Sequence, residues 1–301
     1  MELSDTFVAN ITHALGERGR AWLDGLPALL AWCEGEYGLE IGAPFELSLN
    51  YVAPATRADG SPAVLKLSPH GDDFRHEIEA TRAYGGRGMV RLLEADVDRG
   101  IALLERLTPG RMLVALDATD ERKTEIAADV MRALLPEAPA VHGLPTAEDW
   151  FAAFARHRAE HGGAGPLPAA LFERGEATYR ELLASSPATS ALLHGDLHHY
   201  NILSAERAPW LAIDPHGLVG DPVFEVGAFF GNPLDLAGWP ELRRVLARRA
   251  DIFAERLGFD RERILAWALA YRVLSAVWSA ENGGTRWGPS MHIAGVLAEM
   301  I

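Results

Sequence analysis

Three polar side chains in one part of the chain have the types and the spacing that phosphoryl transfer to an alcohol requires. Asp196 and Asn201 lie five positions apart, and Asp214 follows Asn201 by thirteen. A carboxylate at Asp196 can align a hydroxyl group and accept its proton. Asn201 and Asp214 carry the hard oxygen ligands that Mg²⁺ prefers. Because a lone Asp beside a glycine is usually only a turn residue, the prediction of a base and two metal ligands depends on the whole set.

A lysine in an apolar run is the next candidate. Lys66 stands within residues 63–67, which read as a buried strand, where a cation is costly unless it is paired. The strand lysine of kinases binds the α- and β-phosphates in such a place and pairs with a glutamate of the following helix. Both Glu77 and Glu79 lie on the helix predicted over 72–83. We favour Glu77, and Glu79 or a plain solvated pair remain alternatives.

Two other segments are candidates for nucleotide contacts. The turn that contains Ser48 and Asn50 lacks the G-x-G-x-x-G pattern, although its backbone amides could still cover phosphates. The segment 103–107 ends the last predicted strand of the first third of the chain. There we predict that the backbones of Glu105 and Leu107 exchange hydrogen bonds with the edge of an adenine.

The side chains that could contact the acceptor are less specific. For any single acid among them, solvation at the surface is the more common role. His194 is expected to pack under the loop and to bond backbone carbonyl groups. The run Asp196-Leu197-His198 also matches the Asp-x-His of metallophosphatases, so a metallohydrolase stays an alternative. The acceptor candidates are His198, His199, Tyr200, Glu225, Asp235 and Glu281.

Composition limits the class of protein. The 301 residues contain 28 Lys plus Arg and 42 Asp plus Glu, a formal charge of −14. Phosphate backbones and anionic membrane surfaces repel such a surface, so we expect neither nucleic acid nor membrane as a partner. A cationic small molecule is compatible with it. Cys33 is the only cysteine, which excludes a thiolate metal cluster. The N-terminus lacks signal-peptide features, so we expect a cytoplasmic protein. We also expect a monomer or a weak homodimer.

Hydropathy periodicity predicts the elements that position these residues. We predict helices over 10–37 and 72–83 and strands over 46–53, 63–67, 89–94 and 101–106. The pair Asp59-Gly60 favours a hairpin between the strands predicted over 46–53 and 63–67. Further helices are predicted over 112–135, 147–158, 171–183, 242–257, 261–282 and 290–300. These patterns predict an α+β fold with a small β-rich N-lobe and a larger helical C-lobe.

Several motifs resemble the aminoglycoside phosphotransferase (antibiotic kinase) superfamily. They are His194 to Asn201, Ile213-Asp214, Gly220-Asp221-Pro222 and Asn232-Pro233. The segments 60–66 and 104–110, with the doublet His198-His199, resemble its streptomycin 6-phosphotransferase and hydroxyurea phosphotransferase branch. The resemblance covers about residues 40 to 295.

The resemblance implies a bilobal protein-kinase-like fold that uses ATP with Mg²⁺ and phosphorylates a hydroxyl group of a small molecule. It assigns Asp196 as the base, Asn201 and Asp214 as metal ligands, and Lys66 as the phosphate-binding lysine. Residues 1–105 would form an N-lobe with a helical extension that covers the nucleotide, and residues 106–301 a C-lobe with the catalytic loop, metal and acceptor. ATP is expected between the lobes.

The acceptor is less constrained by the resemblance. A cationic, streptomycin-like aminoglycoside is the first hypothesis. A sugar, an amino alcohol or a fructosamine-type compound is the second hypothesis for the acceptor. A different, third hypothesis for the function is a protein that binds nucleotide without turnover. Gly195 stands where regulated protein kinases carry an arginine that pairs with a phosphorylated activation loop. Since only six residues separate Asp214 from Asp221, no such switch is expected.

Overall fold

The structure is a computed structural model that describes residues 3–69, 71–135, 143–187, 190–281, 284 and 287–301. The chain divides into two compact units. The first contains residues 1–86 and 90–107, and the second contains residues 87–89 and 108–301. The functions that we assigned to residues 1–105 and 106–301 stay predictions.

The first unit is a five-stranded antiparallel sheet with two helices. The strand order is β1-β2-β3-β5-β4. Strand β3 lies at the centre of this order, which places Lys66 between Val52 and Ala102 of the neighbouring strands. The elements are α1 (Asp5–Tyr37), β1 (Leu39–Ile41), β2 (Tyr51–Arg57), β3 (Pro62–Leu67), α2 (Gly71–Tyr84), β4 (Leu92–Asp96) and β5 (Ile101–Glu105).

Helix α1 supplies much of the core of the first unit. The Ser4 hydroxyl caps its N-terminus by accepting a hydrogen bond from the Phe7 backbone nitrogen. Gly16 adopts a left-handed φ of 57° and kinks the helix. Leu26 and Cys33, seven residues apart on one stripe, are fully buried in the same cluster as Leu65 of β3. This apolar stripe is therefore the face that packs on the sheet.

The hairpin predicted at Asp59-Gly60 is confirmed. Strands β2 and β3 pair antiparallel, Gly60 has a φ of 81°, and the Asp59 carboxylate accepts a hydrogen bond from the Ser61 backbone nitrogen. The strand predicted over 46–53 is only partly right, because residues 46–50 form bends and the strand begins at Tyr51.

The second unit is mainly helical, with short strands. Strands β7 and β10 pair with each other, and β6, β8 and β9 form a three-stranded sheet. The described elements are β6 (Pro109–Met112), α3 (Asp120–Leu134), α4 (Ala147–His161), α5 (Ala169–Ala184), β7 (Ala191–Leu193), β8 (Ile202–Ala205), β9 (Trp210–Ala212), β10 (Leu218–Gly220), α6 (Leu242–Leu257), α7 (Arg261–Glu281) and α8 (Trp287–Ala298), with short 3₁₀ turns at Leu113–Ala115, Pro222–Val226, Phe229–Gly231 and Leu236–Gly238.

The predicted helix over 112–135 begins too early. Met112 pairs with Leu203 of β8, and the helix starts at Asp120 behind the N-cap Thr119. Helix α7 is buried on most sides, as its apolar run predicts. The residue at which we predicted its end, 282, lies outside the described residues. None of the helices within the described ranges has the length and apolar character needed to cross a membrane.

Candidate active site

A hairpin and a second antiparallel strand pair bring the predicted base and metal ligands together within the second unit. Strands β8 and β9 pair with Ile202 opposite Ala212, so Asn201 stands just before one strand and Asp214 two residues after the other. The Ile213 backbone nitrogen donates to the Asn201 carbonyl at 3.0 Å and closes this end of the hairpin. The candidate metal ligands are therefore fixed by strand register.

The antiparallel pair of β7 and β10, which encloses the β8–β9 hairpin in the sequence, joins the loop of Asp196 to the loop of Asp214. Strand β7 leads into His194, and its partner β10 begins at Leu218. The backbone nitrogens of His216 and Gly217 both donate to the His194 carbonyl, at 2.8 and 3.2 Å. Asp214 has a positive φ of 61°, a conformation that Asp tolerates better than most residues. The two loops thus form one hydrogen-bonded unit.

Asp196 is held as a carboxylate. Its side chain is 30% exposed, and its Oδ2 lies 3.3 Å from His198 Nε2 and 3.9 Å from His216 Nε2. Burial raises the pKa of Asp196, but the charge and hydrogen bond of His198, followed by His216 and His194, outweigh it and lower the pKa to about 2. The group is therefore ionised at neutral pH and can accept a hydrogen bond from an alcohol.

His194 has the structural role that we predicted. Its ring is fully buried, with Nε2 2.8 Å from the Ile213 carbonyl, and its Nδ1 accepts a hydrogen bond from the Asp196 backbone nitrogen at 3.2 Å. These contacts assign a neutral ring with the proton on Nε2. Burial lowers the pKa of His194 to about 4, which agrees with that assignment. His194 therefore connects the two loops through hydrogen bonds inside the protein.

The donor set at Asn201 and Asp214 fits Mg²⁺. The Asn201 amide nitrogen donates to the Asp196 carbonyl at 3.0 Å, which orients the amide and leaves its oxygen as the side-chain atom for a ligand. Asp214 is exposed and supplies a carboxylate. Two oxygen ligands together with phosphate oxygens and waters satisfy this ion. Among the described residues, no group of three or more His, Cys, Asp or Glu is arranged to hold a metal, so the metallohydrolase alternative gains no support there.

We predicted that Glu225 contacts the acceptor, but the structure shows a buried residue that supports the catalytic loop. It is 2% exposed, and its Oε2 accepts a hydrogen bond from the His194 backbone nitrogen at 2.7 Å. Burial raises the pKa of Glu225 to about 7 against the hydrogen bonds from the backbone of His194 and Gly195. The Asp221 side chain caps the turn that carries Glu225 by accepting a hydrogen bond from the Val223 nitrogen.

Tyr271 of α7 holds the same loop from another side. Its hydroxyl donates to the Gly195 carbonyl at 2.8 Å and lies 3.5 Å from Asp196 Oδ1. Gly195 has a φ of 83°, and a Cβ there would collide with Leu218 Cδ2 and lie 3.1 Å from the Trp150 ring, too close for a side chain. Gly195 is thus required by backbone conformation and by packing.

The two predicted acceptor histidines have different environments. The prediction is wrong for His199, because its ring is fully buried and stacks on Phe229 at 4.0 Å. Burial lowers the pKa of His199 far below its usual value. His198 is partly buried and contacts Asp196, and its ring also packs edge-on against Tyr200. Of these two histidines, only His198 lies beside Asp196.

The remaining acceptor candidates have contacts with other parts of the second unit. Tyr200 is partly exposed, and its hydroxyl oxygen accepts from the Leu234 backbone nitrogen at 3.4 Å. Asp235 is exposed and accepts from the Trp239 indole. Glu281 ends α7, with its Oε1 3.6 Å from Arg156 Nε. Their roles toward an acceptor stay predictions.

In the first unit, the predicted pair of Lys66 and Glu77 is present. Lys66 Nζ lies 2.7 and 2.6 Å from the two Glu77 carboxylate oxygens, and the side chains are 5% and 10% exposed. Glu79, the alternative partner, instead pairs with Arg82 at the surface. The pair holds a buried ammonium group on the central strand, and its contact with phosphate stays a prediction.

The other nucleotide candidates of the first unit are placed as follows. Ser48 is exposed in the bend before β2, and its carbonyl accepts from the Asn10 side chain. Asn50 has a buried Oδ1 without a hydrogen-bond partner among the described residues. The Glu105 backbone nitrogen donates to the Arg91 carbonyl, which removes that donor from the adenine contacts we predicted. The backbone nitrogen of Leu107, two residues further on, remains the predicted donor.

Sequence reasoning missed a cluster of aromatic side chains beside the catalytic loop, formed by Trp150, Trp278 and Tyr271. Trp150 of α4 packs edge-to-face on His216 at 5.6 Å and on Trp278 of α7 at 5.0 Å, and both indoles are partly exposed. Trp278 in turn packs against Tyr271 at 6.2 Å. The available signal was the spacing of seven between Tyr271 and Trp278, which puts both on one face of a helix that is otherwise apolar.

Solved structures share this fold. Choline kinase LicA from Streptococcus pneumoniae superposes with a TM-score of 0.64 at 14% identity, over 91% of this chain and 98% of that one. A thermostable mutant of aminoglycoside phosphotransferase APH(4)-Ia, in complex with ADP and hygromycin B, has a TM-score of 0.64 at 17% identity, over 90% of this chain and 96% of that one. The fold is therefore the protein-kinase-like fold of small-molecule kinases.

Sequence comparison narrows this class to one family. The family model for the aminoglycoside/hydroxyurea antibiotic resistance kinases matches residues 40–283. Streptomycin 6-kinase of Streptomyces griseus is 34% identical over 99% of this chain and 98% of its own length. Hydroxyurea phosphotransferase of Kitasatospora aureofaciens is 36% identical over 89% and 77%. The chain belongs to the aminoglycoside/hydroxyurea antibiotic resistance kinase family, and it is a phosphotransferase with an alcohol group as acceptor. The predicted fold and resemblance are confirmed.

Proposed function

We propose that the protein uses ATP with Mg²⁺ to phosphorylate a hydroxyl group of a cationic, streptomycin-like aminoglycoside. The observation that carries the proposal is the hydrogen-bonded unit of two loops that presents an ionised Asp196 beside Asn201 and near Asp214. The match to a streptomycin 6-kinase over nearly the whole of both chains supports this choice of acceptor.

Each residue of the set has a chemical role in this proposal. The acceptor hydroxyl hydrogen-bonds to Asp196, its oxygen forms a bond to the γ-phosphorus of ATP, and the bond from that phosphorus to ADP breaks. The hydroxyl proton passes to the Asp196 carboxylate. Asn201 and Asp214 would hold Mg²⁺, and Lys66 would bind the phosphates. When bound, Mg²⁺ supplies positive charge that offsets the negative charge on the phosphate oxygens.

The low pKa of Asp196 fits this kind of transfer. A carboxylate whose pKa is about 2 is too weak a base to deprotonate a free alcohol. In the loose transition state of phosphoryl transfer, however, little bond to the attacking oxygen has formed, and alignment matters more than early proton removal. Asp196 therefore acts first by orienting the hydroxyl, and it accepts the proton only once the new phosphorus–oxygen bond makes that hydroxyl acidic.

The surroundings of Asp196 suit a cationic acceptor. Trp150 and Trp278 offer partly exposed aromatic surface beside the catalytic loop, and an aromatic face attracts ammonium and guanidinium groups. The charge of −14 adds a long-range attraction for cations. Both features support an aminoglycoside over a neutral acceptor.

Hydroxyurea is the second candidate acceptor, because a hydroxyurea phosphotransferase is 36% identical to most of this chain. A sugar, an amino alcohol or a fructosamine-type acceptor stays a prediction, since choline and ethanolamine kinases share only the fold at 12 to 14% identity. We also propose that the protein works in the cytoplasm, where its nucleotide is available, and as a monomer or weak homodimer.

A screen by mass spectrometry tests the proposal. Purified protein is incubated with Mg-ATP and one acceptor at a time: streptomycin, other aminoglycosides, hydroxyurea, choline and simple sugars. Streptomycin is expected to gain the mass of one phosphate, and the Asp196→Asn variant serves as the inactive control. Parallel reactions with GTP, and with Mg²⁺ removed by a chelator, test the nucleotide and the metal. Nucleotide binding without any phosphorylated acceptor would contradict the proposal.

A further inference from the structure

Two buried arginines of the second unit have opposite environments. Arg249 is fully buried, and each of its three guanidinium nitrogens has an acceptor, because it forms an ion pair with Asp120 and donates to the carbonyls of Phe229 and Asn232. Arg272 of α7 is only 5% exposed, yet its Nε has no hydrogen-bond partner among the described residues. Its contact is with an aromatic ring, that of Tyr271, at 5.0 Å.

The position of Arg272 relates it to the catalytic loop. The Tyr271 ring under its guanidinium group carries the hydroxyl that bonds to Gly195 and lies 3.5 Å from Asp196 Oδ1. Gly231 also lies against the guanidinium group, and a Cβ there would collide with it. The absence of a side chain at Gly231 therefore creates the space that the guanidinium occupies.

A buried arginine in such an environment destabilises the folded protein. A guanidinium group stays charged, and a buried charge without a partner costs several kcal/mol. Burial lowers the pKa of Arg272, while nearby Tyr271 and Asp196 act in the opposite direction without forming an ion pair with it. A cation kept in this state beside a catalytic carboxylate indicates a negatively charged partner that arrives with the substrates.

We propose that Arg272 is a catalytic residue that binds the oxyanion of the transferred phosphoryl group next to Asp196. This inference rests on the proposed function. As the phosphorus–oxygen bond to ADP breaks and the bond to the acceptor oxygen forms, the guanidinium group donates hydrogen bonds to the phosphoryl oxygens, while the proton goes to Asp196. After transfer, the same contact holds the phosphate monoester of the product.

The phosphoryl group is a better partner than an anionic group on the acceptor itself. It is the one group that must reach the acceptor hydroxyl at Asp196 in every turnover, whatever the acceptor. A planar guanidinium also matches phosphate oxygens in geometry. Inorganic phosphate, which shares these oxygens, is therefore a suitable probe and requires no knowledge of the acceptor.

The test compares three variants with the wild-type protein. Arg272→Met removes the charge and keeps the length of the side chain. Gly231→Ala leaves the arginine in place but displaces its guanidinium group. Arg249→Met removes the satisfied arginine and serves as the control for a structural role. We measure kcat and the KM for Mg-ATP with the best acceptor from the screen, the affinity for inorganic phosphate by calorimetry, and Tm.

For Arg272→Met we expect kcat to fall by about 100-fold, as for loss of one oxyanion donor, with the KM for Mg-ATP changed less than about threefold. Phosphate affinity should fall by about tenfold or more, the loss expected for a hydrogen bond to a charged group. Its Tm should be unchanged or higher, because an uncompensated buried charge has been removed. Gly231→Ala should show the same fall in kcat, and Arg249→Met should show a large fall in Tm.

Either of two results would overturn the inference. The first is an Arg272→Met variant that keeps wild-type kcat and phosphate affinity. The second is an Arg272→Met variant whose Tm falls as far as that of Arg249→Met, which would make Arg272 a structural residue. Failure of the proposed function itself is distinguishable, because it would appear as no acceptor turnover by the wild-type protein while the phosphate titration still reports on Arg272.

Discussion

The Glu225 carboxylate accepts a 2.7 Å hydrogen bond from the backbone nitrogen of His194, 31 residues earlier in the chain. This contact fixes the backbone two residues before Asp196. With the Tyr271 hydroxyl on the Gly195 carbonyl, the loop is held by one acceptor and one donor, both buried. The position of the base is therefore decided by residues that do not touch the substrate.

Removing this acceptor should disturb the loop more than neutralising it. Glu225→Ala leaves the His194 N–H buried without a partner, at a cost of about 1–3 kcal/mol, and we expect a lower kcat and a lower Tm. Glu225→Gln keeps an acceptor oxygen and should retain most of the activity. Comparison of kcat and Tm for the two variants checks this. Equal losses in both would mean that the charge, and not the hydrogen bond, is required.

The stability of the fold should depend on the protonation of Glu225. Its pKa is raised from 4.5 to about 7 in the folded protein, so the folded state holds this proton more tightly than the unfolded state. The contribution is complete below pH 4.5 and is lost as the pH rises to about 7, with a change of up to about 3 kcal/mol. Denaturant unfolding at several pH values, with Glu225→Gln as the reference, measures it. A wild-type protein that gains stability relative to Glu225→Gln as the pH rises would contradict the sign.

Loss of the base should affect turnover and not nucleotide binding. Asp196→Ala removes the group that aligns the hydroxyl, and we expect kcat to fall by several orders of magnitude. The affinity for Mg-ATP should be largely unchanged, because Asp196 is not a proposed metal ligand. Steady-state kinetics and calorimetric titration of Mg-ATP measure both quantities. Turnover similar to that of the wild-type protein would exclude Asp196 as the base.

Loss of a metal ligand should weaken the binding of Mg-ATP itself, unlike loss of the base. Asp214→Asn keeps a residue type that tolerates the positive φ at this position and removes the carboxylate charge. We expect weaker binding of ATP in the presence of Mg²⁺, and equal binding by variant and wild type when a chelator removes the ion. Titrations under both conditions give the comparison. An unchanged Mg²⁺-dependent affinity would show that Asp214 does not hold the ion.

The buried pair of the first unit allows stability and function to be separated. Lys66→Met alone leaves the Glu77 carboxylate buried without its partner, and it should cost about 3–5 kcal/mol of unfolding free energy. The double variant Lys66→Met with Glu77→Met should recover much of this stability but not the affinity for Mg-ATP. Denaturant unfolding and nucleotide titration test the two parts. If the double variant binds Mg-ATP as the wild type does, Lys66 is only structural.

Local patterns predicted those features of the fold that depend on neighbouring residues. The hairpin at Asp59-Gly60, the apolar stripe of α1 and the long core helix α7 follow from turn chemistry and from hydrophobic periodicity. The start of α3 was placed too early because Met112 pairs with β8, a strand about ninety residues away. Such tertiary pairing overrides a local helical pattern.

The same distinction applies to the site. The spacing of Asp196, Asn201 and Asp214 is local to one segment of about twenty residues around the β8–β9 hairpin, and sequence reasoning could find it. The roles of Glu225 and His199 were missed, because an acid and an imidazole look alike in sequence whether they are buried or exposed. Arg272 was visible only as an interruption of an apolar run. Its lack of a partner is a property of the packed structure and needed coordinates.

Cys33 gives the protein a practical property. It is the one thiol in the chain, it has no exposed surface, and burial, followed by Asp96 and Glu34, raises its pKa to about 11. At neutral pH almost none of it is thiolate, the form that reacts with maleimides and iodoacetamides. A cysteine introduced at the surface would thus be labelled alone, without first replacing a native one, so fluorescent or spin probes can follow nucleotide and acceptor binding on the otherwise unaltered enzyme.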